Sequence, residues 1–341
     1  MQTLRTVPYR QRPLRLREKM TGMMWDWIYV SLGLVILLLA GDSLVRGAVN
    51  ISLRLGVPAL IVSLTIVAFG TSAPELLISV QAIWDGVPGL ALGNVIGSNT
   101  ANILLVLGIP AMMAAMKTGD CDTMVSYMQM IAASVLFILL CFWGSFTWIS
   151  GIILLAALAA MLTHAALSAK RHRDSNGAET DEDDEEIEGA DPTLGWTKIA
   201  IFLVLGIIGL PLGASLLVEG AVNIARDFGI AETVIGLTLV AIGTSLPELA
   251  TTVMAALRKQ ADVALGNVIG SNMFNLLGIM GVASLVGTIP VDPSLLRFDL
   301  WVMLAASLLL IPFVFFKKDL SRMAGVILTA LYAGYIVIAL A

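Results

Sequence analysis

The chain has 341 residues, of which 58% are hydrophobic and 13% charged, with a formal net charge of −5 and a mean hydropathy of +0.90. Soluble domains carry about 25% charged residues, so this balance excludes an ordinary soluble domain and implies a polytopic protein of the lipid bilayer. Most of the acid lies in one run, Asp181 to Glu188, no feature suggests nucleic acid, and Cys121 and Cys141 are too few for a disulfide framework or a zinc site.

In chain order, residues 1–26 read as a basic tail carrying Arg5, Arg10, Arg12, Arg15, Arg17 and Lys19. It reads either as a start misassigned upstream of Met20, Met23 or Met24, or as a disordered segment, and it lacks the pattern of a cleaved signal sequence. At roughly 20 residues per span, apolar stretches fall near 27–47, 58–83, 90–113, 124–143 and 147–168, then 197–222, 232–257, 263–287, 298–316 and 323–340. The predicted fold is therefore an all-α membrane protein of ten transmembrane helices. An acidic linker, 170–196, separates one five-helix unit, 27–169, from a second, 197–341. The second and third spans of each unit are rich in Gly, Ser, Thr and Asn, and the second carries a proline near its middle. Such spans are interrupted helices, tolerated at membrane depth only where they face protein or a cavity.

The two units are copies. Gly70-Thr71-Ser72-Ala73-Pro74-Glu75-Leu76 returns as Gly243-Thr244-Ser245-Leu246-Pro247-Glu248-Leu249, 173 positions later. The same offset carries Ala91 to Asn99 onto Ala264 to Asn272, Asn102 onto Asn275 and Gly47 to Ile51 onto Gly220 to Ile224. Because five is odd, tandem copies enter the membrane from opposite faces, which is the inverted repeat of alternating-access transporters. The loops after spans one, three, five, seven and nine hold twelve Lys and Arg, whereas the opposite loops hold Arg226 and Arg297 alone. The positive-inside rule then puts the first set in the cytoplasm and both termini outside. The basic residues of the tail pull against that orientation.

The repeated segments carry the chemistry. An acidic residue at the centre of a membrane helix costs about 2.5 to 3.5 kcal/mol on insertion scales, and the chain accepts this twice, at Glu75 and Glu248. Pro74 and Pro247 have no N–H for the carbonyl four residues earlier, which frees Gly70 C=O and Gly243 C=O. On a helix, Thr71, Ser72 and Glu75 bring hydroxyl and carboxylate to one face. Ser98 with Asn102, and Ser271 with Asn275, repeat the four-residue spacing. All these donors are hard oxygens, suited to a cation such as Ca²⁺, which takes 6 to 8 of them. Without Cys or His in these segments, soft metals are disfavoured.

Blander roles compete for the same residues. Gly93, Gly97, Gly266 and Gly270 fit close helix packing, and Asn94, Asn99, Asn267 and Asn272 fit bonds across helices as well as they fit ligands. Asp42 and Glu219 are expected near helix ends in solvated or capping roles, and His164 and His172 at the interface. The Asp181 to Glu188 run lacks the glycine-punctuated spacing of a calcium loop and reads as a solvated linker.

At GTSAPEL with GNVIGSNTAN, and GTSLPEL with GNVIGSNMFN, the chain resembles the calcium/cation antiporter superfamily, and within it the prokaryotic sodium/calcium exchangers. The resemblance runs from about Trp27 to the end of the chain. It implies exchange of Ca²⁺ against Na⁺ across the cytoplasmic, or inner, membrane, with no cofactor. By position it implies that Glu75 and Glu248 bind both ions. Thr71, Ser72, Ser98, Asn102, Thr244, Ser245, Ser271 and Asn275, with the carbonyls of Ala68 and Ala241, would complete the sites. Several members of the resembled family have Asp where this chain has Asn275, so Ca²⁺/H⁺ or K⁺-dependent exchange stands as the alternative. A channel would need a continuous pore, and an intramembrane enzyme would need a motif such as HExxH, which is missing. Nothing in the chain specifies an oligomeric state.

Overall fold

The computed structural model describes residues 12–175, 191, 193–229 and 241–340. The acidic run at 181–188 and the first part of the predicted seventh span, 230–240, lie outside the described residues. The described chain is almost entirely helical. In order come α1 (Arg12–Leu55), α2 (Ala59–Thr71), α3 (Ala73–Trp84), α4 (Pro88–Met113), α5 (Met124–Cys141) and α6 (Trp148–Ser175). They are followed by α7 (Trp196–Asp227), α8 (Ala241–Thr244), α9 (Leu246–Leu257), α10 (Ala261–Val286), α11 (Pro293–Arg297), α12 (Asp299–Val314) and α13 (Arg322–Leu340). Among the described residues seven helices are long and apolar enough to cross a bilayer, and α2 with α3 make an eighth crossing bent by 42°. The protein is therefore a multi-pass membrane protein.

The helix boundaries differ from the sequence expectation where packing outweighs hydropathy. α1 is continuous from Arg12 to Leu55, so residues 12–26 extend the first span as helix rather than forming a separate disordered tail. Between Pro13 and Gly22 that stretch is built of Arg, Leu, Glu, Lys, Met and a single Thr, mostly strong helix formers. Asp42 consequently lies inside a long helix instead of near its end. It accepts an ion pair from Arg46 one turn on, at 2.9 Å, and another from Arg258 at the end of α9. A carboxylate at this partly buried position is stable because it is paired. Glu219 is exposed on α7, as expected.

Burial sorts the helices into a centre and a rim. Within their most apolar windows α4 and α10 are each 83% buried, against 11% for α6 and 17% for α13, so the former pair forms the middle of the bundle and the latter faces lipid. The polar, glycine-rich sequences of α4 and α10 demand this, since amide and hydroxyl groups facing lipid would lack partners. α2 crosses α10 closely: a Cβ at Gly266 would lie 2.8 Å from Leu60 O, one at Gly270 would meet Leu64 O, and Ser63 Oγ donates to Val263 O at 2.6 Å. Those two glycines are packing residues. Gly93 and Gly97, expected to share that role, have no described atom within 4 Å of the corresponding position.

The connecting segments pair with one another in two groups. β1 (Ser145–Phe146), following α5, pairs antiparallel with β2 (Ile289–Pro290), following α10, with Ser145 opposite Pro290 and Phe146 opposite Ile289. The segments after α4 and after α12 meet separately through Met116 N–H to Leu320 O at 3.1 Å and Leu320 N–H to Met116 O at 3.0 Å. Asp191 N–H donates to Asn50 Oδ1 at 2.9 Å, joining the end of the linker to the C-terminal part of α1.

α1 and α7 run antiparallel in near backbone contact. A Cβ at Gly206 would lie 2.6 Å from Leu44 Cβ and 2.9 Å from Leu44 Cα, and one at Gly213 would lie 2.8 Å from Leu37 N. Small residues permit this approach, and it is dispersion between closely packed helices that rewards it. Gly206→Val should force the helices apart at a cost of about 1 to 3 kcal/mol. A lower apparent unfolding temperature in detergent checks this, with the exposed Gly195→Val as the neutral control.

Candidate functional site

The two repeated heptapeptides fold alike. In each, one short helix ends at a threonine, Thr71 or Thr244, and the next begins after a single serine. Ser72 has φ −86° and ψ 4° and Ser245 φ −87° and ψ 4°, outside both helix and strand. The proline falls in the first turn of the new helix, where its missing N–H costs nothing. The glutamate follows in the same turn, so Glu75 opens α3 and Glu248 opens α9. A helix N-terminus favours a negative charge by about 0.3 to 1 kcal/mol, and up to about 2 kcal/mol when partly buried. That falls short of the insertion cost of a membrane carboxylate, so the helix ends alone do not account for two charges here.

Burial sharpens the deficit. Glu75 is 1% exposed and Glu248 0%. Among the described residues no Lys or Arg pairs with either. Glu248 Oε1 accepts from Ser72 Oγ at 2.9 Å, which ties the carboxylate of the second repeat to the break in the first. Around it the two repeats interlock. Thr71 Oγ1 donates to Asn267 Oδ1 at 3.2 Å, lies 3.4 Å from Ser271 Oγ and also reaches Ala68 O at 3.2 Å. Asn102 Nδ2 donates to Asn272 Oδ1 at 3.0 Å.

Of the site residues expected from sequence, Thr71, Ser72, Ser271 and Glu248 meet directly where the two broken segments cross. Thr71, Ser72, Ser98, Asn102, Thr244, Ser245, Ser271 and Asn275 are all buried, as are both glutamates. Asn102 opens a widened, π-helical turn, Asn102–Val106, and Asn275 lies in its counterpart, Phe274–Ile279. Turns of this kind recur at functional sites because they displace a side chain from the regular helix face. The Ala68 carbonyl already accepts from Ser72 N–H at 3.1 Å as well as from Thr71. The Ala241 carbonyl stands at the first residue of α8.

Four of these residues end in buried oxygens that no protein group satisfies: Glu75 Oε2, Glu248 Oε2, Asn102 Oδ1 and Asn275 Oδ1. Unsatisfied buried acceptors are rare and costly, each worth about 1 to 3 kcal/mol and more when charged. All four are hard acceptors, and two belong to acidic side chains, the donor type that a hard cation takes. Sulfur and imidazole donors are missing from the set.

Sequence reasoning named Asn94 and Asn267 for bonds across helices but left out their hydroxyl partners, Ser79 and Thr252. Thr252 Oγ1 donates to Glu248 O at 2.7 Å and accepts from Asn267 Nδ2 at 3.1 Å, and Asn267 Nδ2 also reaches Glu248 O at 3.3 Å. In the first repeat Asn94 Nδ2 meets Ser79 Oγ at 3.4 Å. Both hydroxyls lie four residues after the glutamate, one turn along the same face, so the repeated spacing was the available signal. Asn94 and Asn267 act as cross-helix braces, and His164 is exposed beside Gln129, away from the glutamates.

A sequence profile of the family described as sodium/calcium exchanger protein matches residues 25–167 and 198–341. The sodium/calcium exchanger MaX1 of Methanosarcina acetivorans is 34% identical over 355 aligned positions, covering 92% of this chain and 98% of that protein. The inner membrane protein YrbG of Escherichia coli is 34% identical over 280 positions, covering 81% of this chain and 85% of that one. Among solved structures, the sodium-calcium exchanger NCX_Mj soaked with zero Na⁺ and Ca²⁺ superposes with a TM-score of 0.77 at 32% identity, over 92% of this chain and 99% of that chain. The chain belongs to the sodium/calcium exchanger family. It is a membrane exchanger and not an enzyme.

Thr252→Val keeps the shape of the side chain but removes both of its hydrogen bonds beside Glu248. It should cost about 1 to 3 kcal/mol by leaving the Asn267 amide short of a partner, read as a lower apparent unfolding temperature that Thr252→Ser restores.

Proposed function

We propose that this chain is a secondary active antiporter that exchanges Ca²⁺ for Na⁺ across the cytoplasmic, inner membrane by alternating access. The observation that carries it is the set of four buried, unsatisfied oxygens on Glu75, Glu248, Asn102 and Asn275. Two carboxylates balance one Ca²⁺ in full. The hydroxyls of Thr71, Ser72, Ser98, Thr244, Ser245 and Ser271, with the carbonyls of Ala68 and Ala241, supply further oxygens toward the 6 to 8 that Ca²⁺ takes. Na⁺ competes for the same carboxylates, and because a single pair of charges cannot neutralise both cargoes, loading one expels the other. That competition, with access alternating between the two faces, is exchange. No resident cofactor enters the cycle.

The architecture behind this is ten spans in two inverted units, 27–169 and 197–341, joined by the cytoplasmic linker 170–196. Its support is the 173-residue repeat and the segregation of the connecting segments. Those after the fourth and eighth spans pair through β1 and β2, and those after the third and ninth through Met116 and Leu320. An arrangement with odd-numbered connections on one face and even-numbered ones on the other allows both pairings, each of which joins connections of one parity. The Lys and Arg count assigns the odd face to the cytoplasm and the termini to the outside.

Position 275 favours a second reading of the counter-ion. With Asn rather than Asp there, the site holds two carboxylates, which protons can discharge as well as Na⁺ can, and a K⁺ requirement would supply charge in another way. Ca²⁺ flux into proteoliposomes under separately imposed Na⁺, K⁺ and pH gradients distinguishes these. Flux that follows the Na⁺ gradient supports the principal reading, and flux that follows only the pH gradient replaces it.

Two outcomes follow. Glu75→Gln and Glu248→Gln should each reduce Ca²⁺ flux to the protein-free background while yielding monodisperse protein, because each removes charge and little else. Cysteines introduced at Gly177 and Ala341 should react with an impermeant maleimide from opposite sides of sealed vesicles, and reaction of both from one side would refute the topology.

A further inference from the structure

The 173-residue repeat sets bonds between the halves against their counterparts, and at the asparagines and serines of the site the counterparts are unmade. Asn102 Nδ2 donates to Asn272 Oδ1 at 3.0 Å. Its counterpart would run from Asn275 Nδ2 to Asn99 Oδ1, yet both of those atoms are buried without any partner. Likewise Ser72 Oγ donates to Glu248 Oε1, whereas Ser245 Oγ, which would face Glu75, is buried and unpartnered. In both of these pairs the undone bond is the one that the second repeat would donate.

The cause lies in how two equivalent asparagines are turned. Asn272 reaches across to the first repeat, where its Nδ2 donates to Asn99 O at 3.4 Å and approaches Met130 Sδ at 3.8 Å. Held from behind in this way, it offers Oδ1 to Asn102. Asn99 instead folds back on its own helix, with Nδ2 donating to Val95 O at 2.7 Å, so its Oδ1 is left unbonded. An amide facing a cation is useful in one orientation only, since its oxygen attracts and its NH₂ repels. By taking the Nδ2 of Asn102, Asn272 leaves the Oδ1 of Asn102 buried and free to accept.

We infer that Asn272 and Asn99 are positioning residues that act in alternation, each orienting the ion-binding asparagine of the opposite repeat. In the state seen here Asn272 holds Asn102. In the oppositely facing state Asn99 turns from Val95 O to accept from Asn275 Nδ2, and the Asn102 pair opens. This rests on Asn102 and Asn275 as cation ligands and on the inverted relation of the halves. It assigns to the GSN triplets of the two repeats the task of switching which half presents its amide oxygen.

Two double-mutant cycles test it, read as Ca²⁺ affinity by calorimetry on purified full-length protein. If Asn272 acts through Asn102, Asn272→Ala should weaken Ca²⁺ binding about tenfold in the wild-type background, the scale of one hydrogen bond to a ligand. It should then add less than about twofold in the Asn102→Ala background, where there is no amide left to orient. The Asn99→Ala and Asn275→Ala cycle should show the same coupling, although that bond is not formed in this structure. Should Asn272→Ala not yield folded protein, Asn272→Asp, which keeps the acceptor, should retain binding that Asn272→Leu loses. Independent, multiplying effects in the first cycle would mean that Asn272 merely packs and would overturn the inference. Independence in the second cycle alone would overturn the alternation. Wild-type protein that binds no Ca²⁺ would overturn the exchange reading as well, whereas wild-type binding with uncoupled mutants overturns only the assignment made here.

Discussion

Two carboxylates buried at the crossing of broken helices are the constraint on which the rest of this structure depends. Glu75 and Glu248 are acidic side chains buried where, among the described residues, no Lys or Arg pairs with them. The positive ends of α3 and α9 offset part of the cost of burying them, Ser72 fixes one carboxylate oxygen of Glu248, and Thr252 and Asn267 hold the Glu248 backbone carbonyl. What remains is a deficit of unpaired buried acceptors. The breaks at Ser72 and Ser245 exist to deliver the glutamates there, for a continuous helix would have no free N-terminus at that depth.

Everything packed around the crossing follows from keeping it dry and rigid. α4 and α10 occupy the centre because their asparagines and serines have no alternative to one another's company. The glycines at 266 and 270 let α2 lie against α10 closely enough for Ser63 to bond Val263 O. The side chains at the site come from helices and from the single-residue breaks between them, and Thr71, Ser72 and Asn102 are each bonded to a side chain of the other repeat. Such an arrangement can have two alternative sets of bonds, because each half is a near copy of the other.

At the periphery the logic changes. α1 and α7 bind each other through small residues and are fixed to the remainder at discrete points. Asp42 is one of these, pairing with Arg46 on its own helix and with Arg258 at the end of α9. An ion pair there is directional where lipid-facing leucines are not, so it fixes the register of a helix that hydrophobic packing would leave free to slide. Asn223 Nδ2 to Asp26 Oδ1, at 2.9 Å, ties the opposite end of the α1–α7 pair.

The sequence by itself determined a great deal here, because membrane insertion leaves few ways to read a long apolar stretch and because the duplication repeats every signal. The spans, the interrupted helices at GTSAPEL and GTSLPEL, the hard-oxygen character of the site and the family resemblance were all legible from residue type and spacing. Tertiary structure alone decided which polar residues bond one another and which are left without a partner. Asn102 and Asn272 look alike in sequence, as do Asn99 and Asn275, and only the crossing of α4 with α10 pairs the first two while Asn99 bonds its own helix and the Asn275 amide bonds no described group. The same holds for Asp42, whose partner Arg258 lies 216 positions away, and for Gly93 against Gly266, which share a motif but not a neighbour. Local pattern specifies what a side chain can bond, whereas the bond it makes depends on which helix lies across from it, and that is set by packing between segments far apart in the chain.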